Sequence, residues 1–129
     1  MDLITYLRYM QFFAHISHNI LGGETFFSDH EYLGELYSEY EAEYDSLVER
    51  FIGLDKDVDL LKVHSNASKA LFKPESLKEA FSELLKCEEK ICEACEKLNE
   101  GSTIGLGNLI ASIADKSEAR QFKLKKRAS

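Results

Sequence analysis

The chain has 129 residues, of which 44% are hydrophobic and 30% charged, a balance typical of one globular domain and not of a disordered chain. Its single proline and seven glycines exclude collagen-like and proline-rich proteins and disfavour a β-sandwich with many turns. Sixteen basic against 23 acidic residues give a net charge of −7, which disfavours nucleic acid and anionic membranes as partners unless the basic residues cluster. We therefore expect a single domain over residues 1–129.

Apolar residues recur at helical spacing through the first half of the chain. A first helix is predicted over 3–21 and ends at Gly22-Gly23, and a second runs from just after Thr25 to about Gly53. The short connection between them makes the two helices antiparallel neighbours. The inward-facing residues of the first are Leu3, Leu7, Met10, Ala14 and Leu21, and those of the second include Phe26, Leu33, Tyr37, Tyr40, Tyr44, Leu47, Val48 and Phe51.

The second half of the chain predicts two further long helices. The third begins at Pro74, because proline has no N–H group to lose in the first turn of a helix, and ends near Asn99. The fourth is capped by Ser102 or Thr103 and runs to about Lys125. Another short connection separates these two helices, so they form a second antiparallel hairpin.

A long connection over residues 54–73 joins the two hairpins. It contains a short helical pattern over 58–63, followed by a polar stretch over 64–68. Two helical hairpins joined by one long crossover make up the ferritin-like arrangement. The predicted fold is therefore all-α, a ferritin-like four-helix bundle whose crossover holds a short helix between helices two and three.

Two histidines and two carboxylates form a candidate metal site. His18 lies a few residues before the Gly-Gly turn and His30 a few residues after it, so folding the hairpin sets them level. Asp45 and Glu49 are four residues apart and project from one face of the second helix. Imidazole combined with carboxylate suits iron, manganese or zinc better than copper(I).

The length of the second helix separates the two pairs. Asp45 lies about 22 Å beyond His30 on a helix that rises about 1.5 Å per residue, and ligand bonds of about 2 Å cannot span that gap. A twofold-related partner would place His18 and His30 of one subunit beside Asp45 and Glu49 of the other. The chain has no Glu-x-x-His pair, which excludes a di-iron site of that kind within one bundle. Taken one at a time, each of the four side chains is more typical of a solvated helix surface.

The spacing His18-x11-His30-x14-Asp45-x3-Glu49 resembles the ferroxidase motif of Dps proteins, the DNA-binding proteins from starved cells, also called mini-ferritins. The resemblance is strong over about residues 13–54 and weaker through the fourth helix. It implies a hollow homo-oligomer, usually of twelve subunits, that oxidises Fe(II) with hydrogen peroxide or dioxygen and stores the ferric product. It further implies that His18 and His30 bind iron with Asp45 and Glu49 of the neighbouring subunit, without separate catalytic residues.

Three features depart from the family pattern. Gly34 stands where many members carry an aspartate, four residues after the second histidine, which leaves the second iron position without that ligand. His15, one turn before His18, is either a substitute ligand or a polar interface residue. Asn19 replaces the family tryptophan, and we expect no lysine-rich N-terminal tail of the kind that some members carry. The alternative function is a non-catalytic Dps-like shell or DNA-compacting scaffold with a degenerate metal site.

The three cysteines occupy one helical run. Cys87, Cys92 and Cys95 match the spacing of plant-type iron–sulfur ligands, but there is no fourth cysteine and no glycine-rich loop. Cys87 and Cys95 share the apolar stripe of the third long helix and are predicted core residues, whereas Cys92 is predicted to be partly exposed. A zinc site on the cysteines is the remaining alternative. An odd number of cysteines also fits a reducing compartment.

The basic residues near the C-terminus are Lys123, Lys125, Lys126 and Arg127, in a tail over about 123–129. Cations stabilise the C-terminal end of a helix, and this interpretation is favoured over an electrostatic tail for DNA. No apolar run reaches the roughly 18 residues of a spanning helix, so no membrane partner is expected. We expect a cytoplasmic protein.

Overall fold

A computed structural model describes all residues from Met1 to Ser129. The chain forms five helices and no strands: α1 (Leu3–Ile20), α2 (Phe26–Gly53), α3 (Leu60–Ala70), α4 (Leu77–Asn99) and α5 (Ile104–Ala128). α1 packs on α2 and α4 packs on α5, which gives two hairpins, and α3 packs on α1. The all-α bundle with a short helix in its crossover is confirmed. α4 and α5 correspond to the predicted third and fourth helices.

Side-chain caps set the beginnings of four helices. Asp2 accepts a hydrogen bond from the backbone N–H of Thr5 at 2.8 Å, and Asp59 caps α3 in the same way. Thr103, not Ser102, caps α5, because the Ser102 hydroxyl instead donates to the carbonyl of Leu98 at 2.7 Å. Each cap satisfies an N–H group that the helix itself leaves without a partner.

The predicted start of the third long helix at Pro74 is wrong by three residues. α4 begins at Leu77, because the Ser76 hydroxyl accepts from the N–H of Glu79 at 3.1 Å and so fixes the first turn there. Pro74 is buried in the loop before the helix. The sequence contains both a proline start signal and a serine cap, and the cap sets the boundary.

The crossover helix is longer than its apolar pattern predicts. α3 covers the polar stretch over 64–68 as well as most of the predicted 58–63 segment. Val63 and Ala67 are one turn apart and buried, while the polar residues between them face solvent. His64 packs edge-on against Phe12 of α1, with ring centroids 5.1 Å apart. Two inward side chains and the Asp59 cap therefore suffice to order the segment.

The core lies along the shared axis of the four long helices. Apolar side chains from all of them are fully covered, and burial of each such side chain stabilises the fold by about 1.5–3 kcal/mol. No helix is long and apolar enough to cross a bilayer. The largest fully buried residues are Leu7, Met10, Phe13, Leu33, Leu36, Tyr40, Leu47, Phe81, Leu84, Ile91, Leu106 and Ile110.

Candidate metal site

His18 and His30 lie against each other across the α1–α2 hairpin. Their ring centroids are 3.6 Å apart and their planes differ by 19°, so the two imidazoles stack. Nδ1 of His18 lies 2.7 Å from the carbonyl oxygen of His30, and Nδ1 of His30 lies 2.8 Å from the carbonyl oxygen of His18. The hairpin therefore brings the two predicted histidines together and couples each ring to the other residue's backbone.

These reciprocal hydrogen bonds determine which ring nitrogen is available. A carbonyl oxygen can only accept, so Nδ1 of each histidine must carry the hydrogen and donate it. In the neutral ring, Nε2 then keeps its lone pair, which is the form that binds a metal. Histidine ligands usually donate their second nitrogen to a carbonyl or carboxylate in this manner. Both rings are partly exposed, so a metal ion can reach them from the surface.

Gly34 lies directly beneath the His18 ring. A Cβ atom added at Gly34 would lie 3.2 Å from Cε1 and 3.4 Å from Nδ1 of His18, which is closer than side chains normally pack. The hydrogen bond and the stack with His30 hold the ring in that position. The absence of a side chain at residue 34 thus lets the imidazole pack against the backbone of α2, and it also removes any carboxylate from this place.

His15 and Tyr37 border the histidine pair. The ring of His15 lies 4.5 Å from that of Tyr37 and 6.3 Å from that of His18. Tyr37 meets His18 edge-on at 5.5 Å. His15 is exposed, and it packs on the tyrosine instead of joining the stacked pair. The residue after His18 is Asn19, which is exposed, and it contributes no aromatic ring to this site.

Asp45 and Glu49 lie on the far half of α2. Both side chains are exposed, and α2 is one uninterrupted helix from Phe26 to Gly53. The distance from His30 is therefore the roughly 22 Å that helical rise dictates. Nowhere in one chain do three or more histidine, cysteine, aspartate or glutamate side chains form a group that could hold a metal ion. The four predicted ligands thus fall into two separate pairs.

The sequence and the helical fold of this chain are similar to those of known proteins. Residues 1–102 match the family profile described as a ferritin-like domain. The chain belongs to the ferritin-like family. Its fold is similar to that of a Dps from Listeria monocytogenes, with a TM-score of 0.77 and 19% sequence identity, over 98% of this chain and 92% of the other. No curated protein sequence matches it. The predicted ferritin-like family is confirmed, and the fold is confirmed as Dps-like.

This ferritin-like bundle has a charged network at its centre, which sequence reasoning missed. Arg120 of α5 donates from Nη1 to Glu43 of α2 at 2.6 Å and from Nε to Glu88 of α4 at 2.5 Å. Tyr40 donates its hydroxyl to Glu88 at 2.8 Å. The four residues are at most 5% exposed. The Arg120 guanidinium therefore joins the two carboxylates that meet inside one bundle.

The environment of this network changes the affinity of its groups for protons. Burial raises the pKa of Glu43 above its usual value, although hydrogen bonds and charge attraction from Arg120 act in the opposite direction. The two carboxylates together raise the pKa of Arg120, which stays charged. A sequence signal did exist, since Glu43, Glu88 and Arg120 each lie on the apolar stripe of their helix, where a charge needs a partner.

The cysteines are placed as the sequence predicts. Cys87 and Cys95 are buried, and Cys92 is half-buried. Burial raises the pKa of the Cys87 and Cys95 thiols to about 12, so both stay protonated at neutral pH. Cys92 accepts a hydrogen bond from the side-chain amide of Gln121, with nitrogen and sulfur 3.3 Å apart. None of the three forms a disulfide.

The basic C-terminal segment is helical, and its cations are not equivalent. α5 continues to Ala128, so residues 123–128 are the last turns of a helix and not a separate tail. Lys123, Lys125 and Lys126 are exposed. Arg127 forms an ion pair with Asp29 in the first turn of α2. One of the four predicted cations therefore holds the bundle together next to the histidine pair.

Proposed function

We propose that this chain is an iron-oxidising and iron-storing subunit of a hollow cytoplasmic shell, with ferroxidase pockets shared between neighbouring subunits. The observation that carries the proposal is the reciprocal hydrogen bonding of His18 and His30. It stacks the two imidazoles at a partly exposed surface and leaves both Nε2 lone pairs free for a ligand. Family membership and the Dps-like fold support iron as the metal and a twelve-subunit shell as the assembly.

Asp45 and Glu49 complete the pocket from the partner in this proposal. An antiparallel pairing of α2 with its copy aligns the histidine end of one subunit with the carboxylate end of the other, and twofold symmetry gives two pockets per dimer. Both carboxylates are exposed in one chain and thus free to face a partner. Carboxylates bind Fe(III) more strongly than Fe(II), so they favour the oxidised product.

The reaction needs iron and an oxidant. Two ferrous ions each lose one electron, and the electron pair breaks the O–O bond of hydrogen peroxide, which takes up two protons and leaves as two waters. With dioxygen the same two electrons and two protons give hydrogen peroxide. The chain binds and orients the ferrous substrate, and its acidic net charge favours the approach of cations. Consuming ferrous iron and peroxide together suppresses hydroxyl-radical formation.

Gly34 supports one alternative, a shell without efficient turnover. Because no carboxylate is present at residue 34, a second iron ion would lack that ligand, and the joint oxidation of two ferrous ions in one pocket would be slow. Exposed Lys123, Lys125 and Lys126, repeated on every subunit of a shell, would then favour a DNA-compacting role. Iron uptake measured beside a salt-dependent DNA gel shift separates the two functions.

The test of the proposed function replaces both ligands contributed by one subunit. We expect His18→Asn with His30→Asn to slow Fe(II) oxidation at least about tenfold, because loss of residues that only orient metal ligands already costs about 10–100-fold, while light scattering finds the same oligomer. His64→Asn is the matched control, because it removes an exposed histidine of α3. An unchanged oxidation rate in the double variant, or equal slowing in the control, contradicts the assignment.

A further inference from the structure

Arg127 forms a partly covered ion pair beside the histidine pair. Its guanidinium pairs with the carboxylate of Asp29, and the side chains are 37% and 4% exposed, respectively. The Phe81 ring of α4 lies 5.9 Å from the guanidinium carbon and covers another side of it. The neighbouring Lys125 is also exposed but forms no ion pair.

Asp29 is the buried acidic residue in the first turn of α2. Its second carboxylate oxygen accepts a hydrogen bond from the Thr25 hydroxyl at 2.5 Å, and its backbone N–H donates to the carbonyl of Thr25 at 3.0 Å. Thr25 is the N-cap residue of α2 but makes no side-chain cap bond to the backbone. The Asp29 carboxylate therefore connects the N-cap residue to Arg127, and its position fixes how α2 begins.

The residue after Asp29 is His30, whose carbonyl accepts from Nδ1 of His18. A displacement of the first turn of α2 therefore moves the His30 ring and the acceptor that orients the His18 ring. α2 and α5 meet at few points, and all ion pairs between them are made by two arginines of α5, Arg120 and Arg127. The last turn of α5 thus restrains the part of α2 that bears the histidines.

We propose that Arg127 is a positioning residue for the His18–His30 pair, acting through Asp29, and that the C-terminal turn of α5 thereby sets the metal affinity of the pocket. The inference rests on the proposed function, since it assumes that the two imidazoles bind metal. Residues that orient ligands typically change metal affinity by about 10–100-fold, and Arg127 acts through one intermediate residue, so about tenfold is expected.

The experiment measures Co²⁺ binding by the assembled full-length protein, both by calorimetry and by visible absorption. We expect Arg127→Gln to weaken Co²⁺ binding about tenfold and to change the intensity of the cobalt bands, while the oligomer stays the same. Lys125→Gln, which removes the same charge two residues away, is the matched control and is expected to bind like the wild type. Arg127→Lys restores the charge and is expected to recover part of the affinity.

Asp29→Asn gives an independent route to the same result. It keeps the size of the side chain and a partner for Thr25 but removes the ion pair, so it is expected to weaken Co²⁺ binding as Arg127→Gln does. The double variant is expected to bind Co²⁺ as tightly as the weaker-binding single variant, because both substitutions break the same ion pair. If Arg127→Gln does not fold, Asp29→Asn decides the question alone.

The possible failures are distinguishable. Wild-type protein that binds no Co²⁺ refutes the proposed function, and the positioning role with it. Wild-type protein that binds Co²⁺, together with variants at Arg127 and Asp29 that bind equally well, refutes the positioning role alone. Equal weakening by Lys125→Gln also refutes it, because the effect would then be one of general charge.

Discussion

Replacing Arg120 with alanine removes the only positive charge between two buried carboxylates. Glu88 is 0% exposed and Glu43 5% exposed, so both carboxylates depend on the guanidinium for a charged partner. Breaking a buried ion pair by removing one partner costs about 3–5 kcal/mol, because the remaining charge is left unpaired. Arg120 serves two carboxylates, so we expect a loss at the upper end of that range. Since the free energy of unfolding of a small domain is about 5–15 kcal/mol, the variant would be marginally stable.

The pH dependence of this loss has a definite sign. Burial already raises the pKa of Glu43 in the wild type, and without the opposing hydrogen bonds and charge of Arg120 that pKa would rise further. A group whose pKa is raised on folding contributes stability below its unfolded value, and that contribution disappears as pH rises through the folded value. We therefore expect Arg120→Ala to destabilise the protein more at pH 7 than at pH 5.

Urea unfolding followed by circular dichroism at the two pH values measures the difference. Lys125→Ala is the control, because it removes an exposed cation of the same helix and is expected to change the unfolding free energy by less than about 0.5 kcal/mol. A loss below about 1 kcal/mol for Arg120→Ala, or a loss that is the same at both pH values, would refute the reasoning.

Three further outcomes are expected. Gly34→Ala places a methyl group 3.2 Å from Cε1 of His18, so we expect the Co²⁺ affinity to fall. The free energy of unfolding changes by less than about 1 kcal/mol, because alanine has the better helix propensity. An unchanged Co²⁺ affinity contradicts this. A thiol reagent at pH 8 labels Cys92 first, because the pKa values of Cys87 and Cys95 are raised to about 12; equal labelling of all three in folded protein contradicts this. Stability falls between about pH 9 and 12, since those thiols lose protons more readily when unfolded; urea midpoints that stay constant over that range contradict this.

The fold was predictable from sequence because apolar stripes and short glycine-containing turns define both hairpins. The errors occur where competing local signals decide a boundary. Ser76 and not Pro74 begins α4, and α3 extends through a polar stretch because only Val63 and Ala67 need to face inward. Such outcomes depend on which side chain reaches which backbone group, and a periodic pattern does not contain that information.

The candidate site was predictable only in part. The spacing of His18 and His30 about the turn predicts their proximity, and the structure places them in contact. Their reciprocal hydrogen bonds depend on the rotation of both rings, which spacing does not determine. The roles of Arg120 and Arg127 also went unpredicted, because both arginines pair with carboxylates on other helices, 32 or more residues away in the chain.

The central claim is that one pocket takes its histidines from one subunit and its carboxylates from the next. Complementation tests it most directly: a subunit with His18→Asn and His30→Asn is co-assembled with a subunit carrying Asp45→Asn and Glu49→Gln. Each variant alone has no complete pocket, whereas random mixing of the two restores about a quarter of the pockets if they span the twofold interface. Recovery of about a quarter of wild-type Fe(II) oxidation in the mixture is the expected result. A mixture as inactive as its two components would contradict a shared pocket.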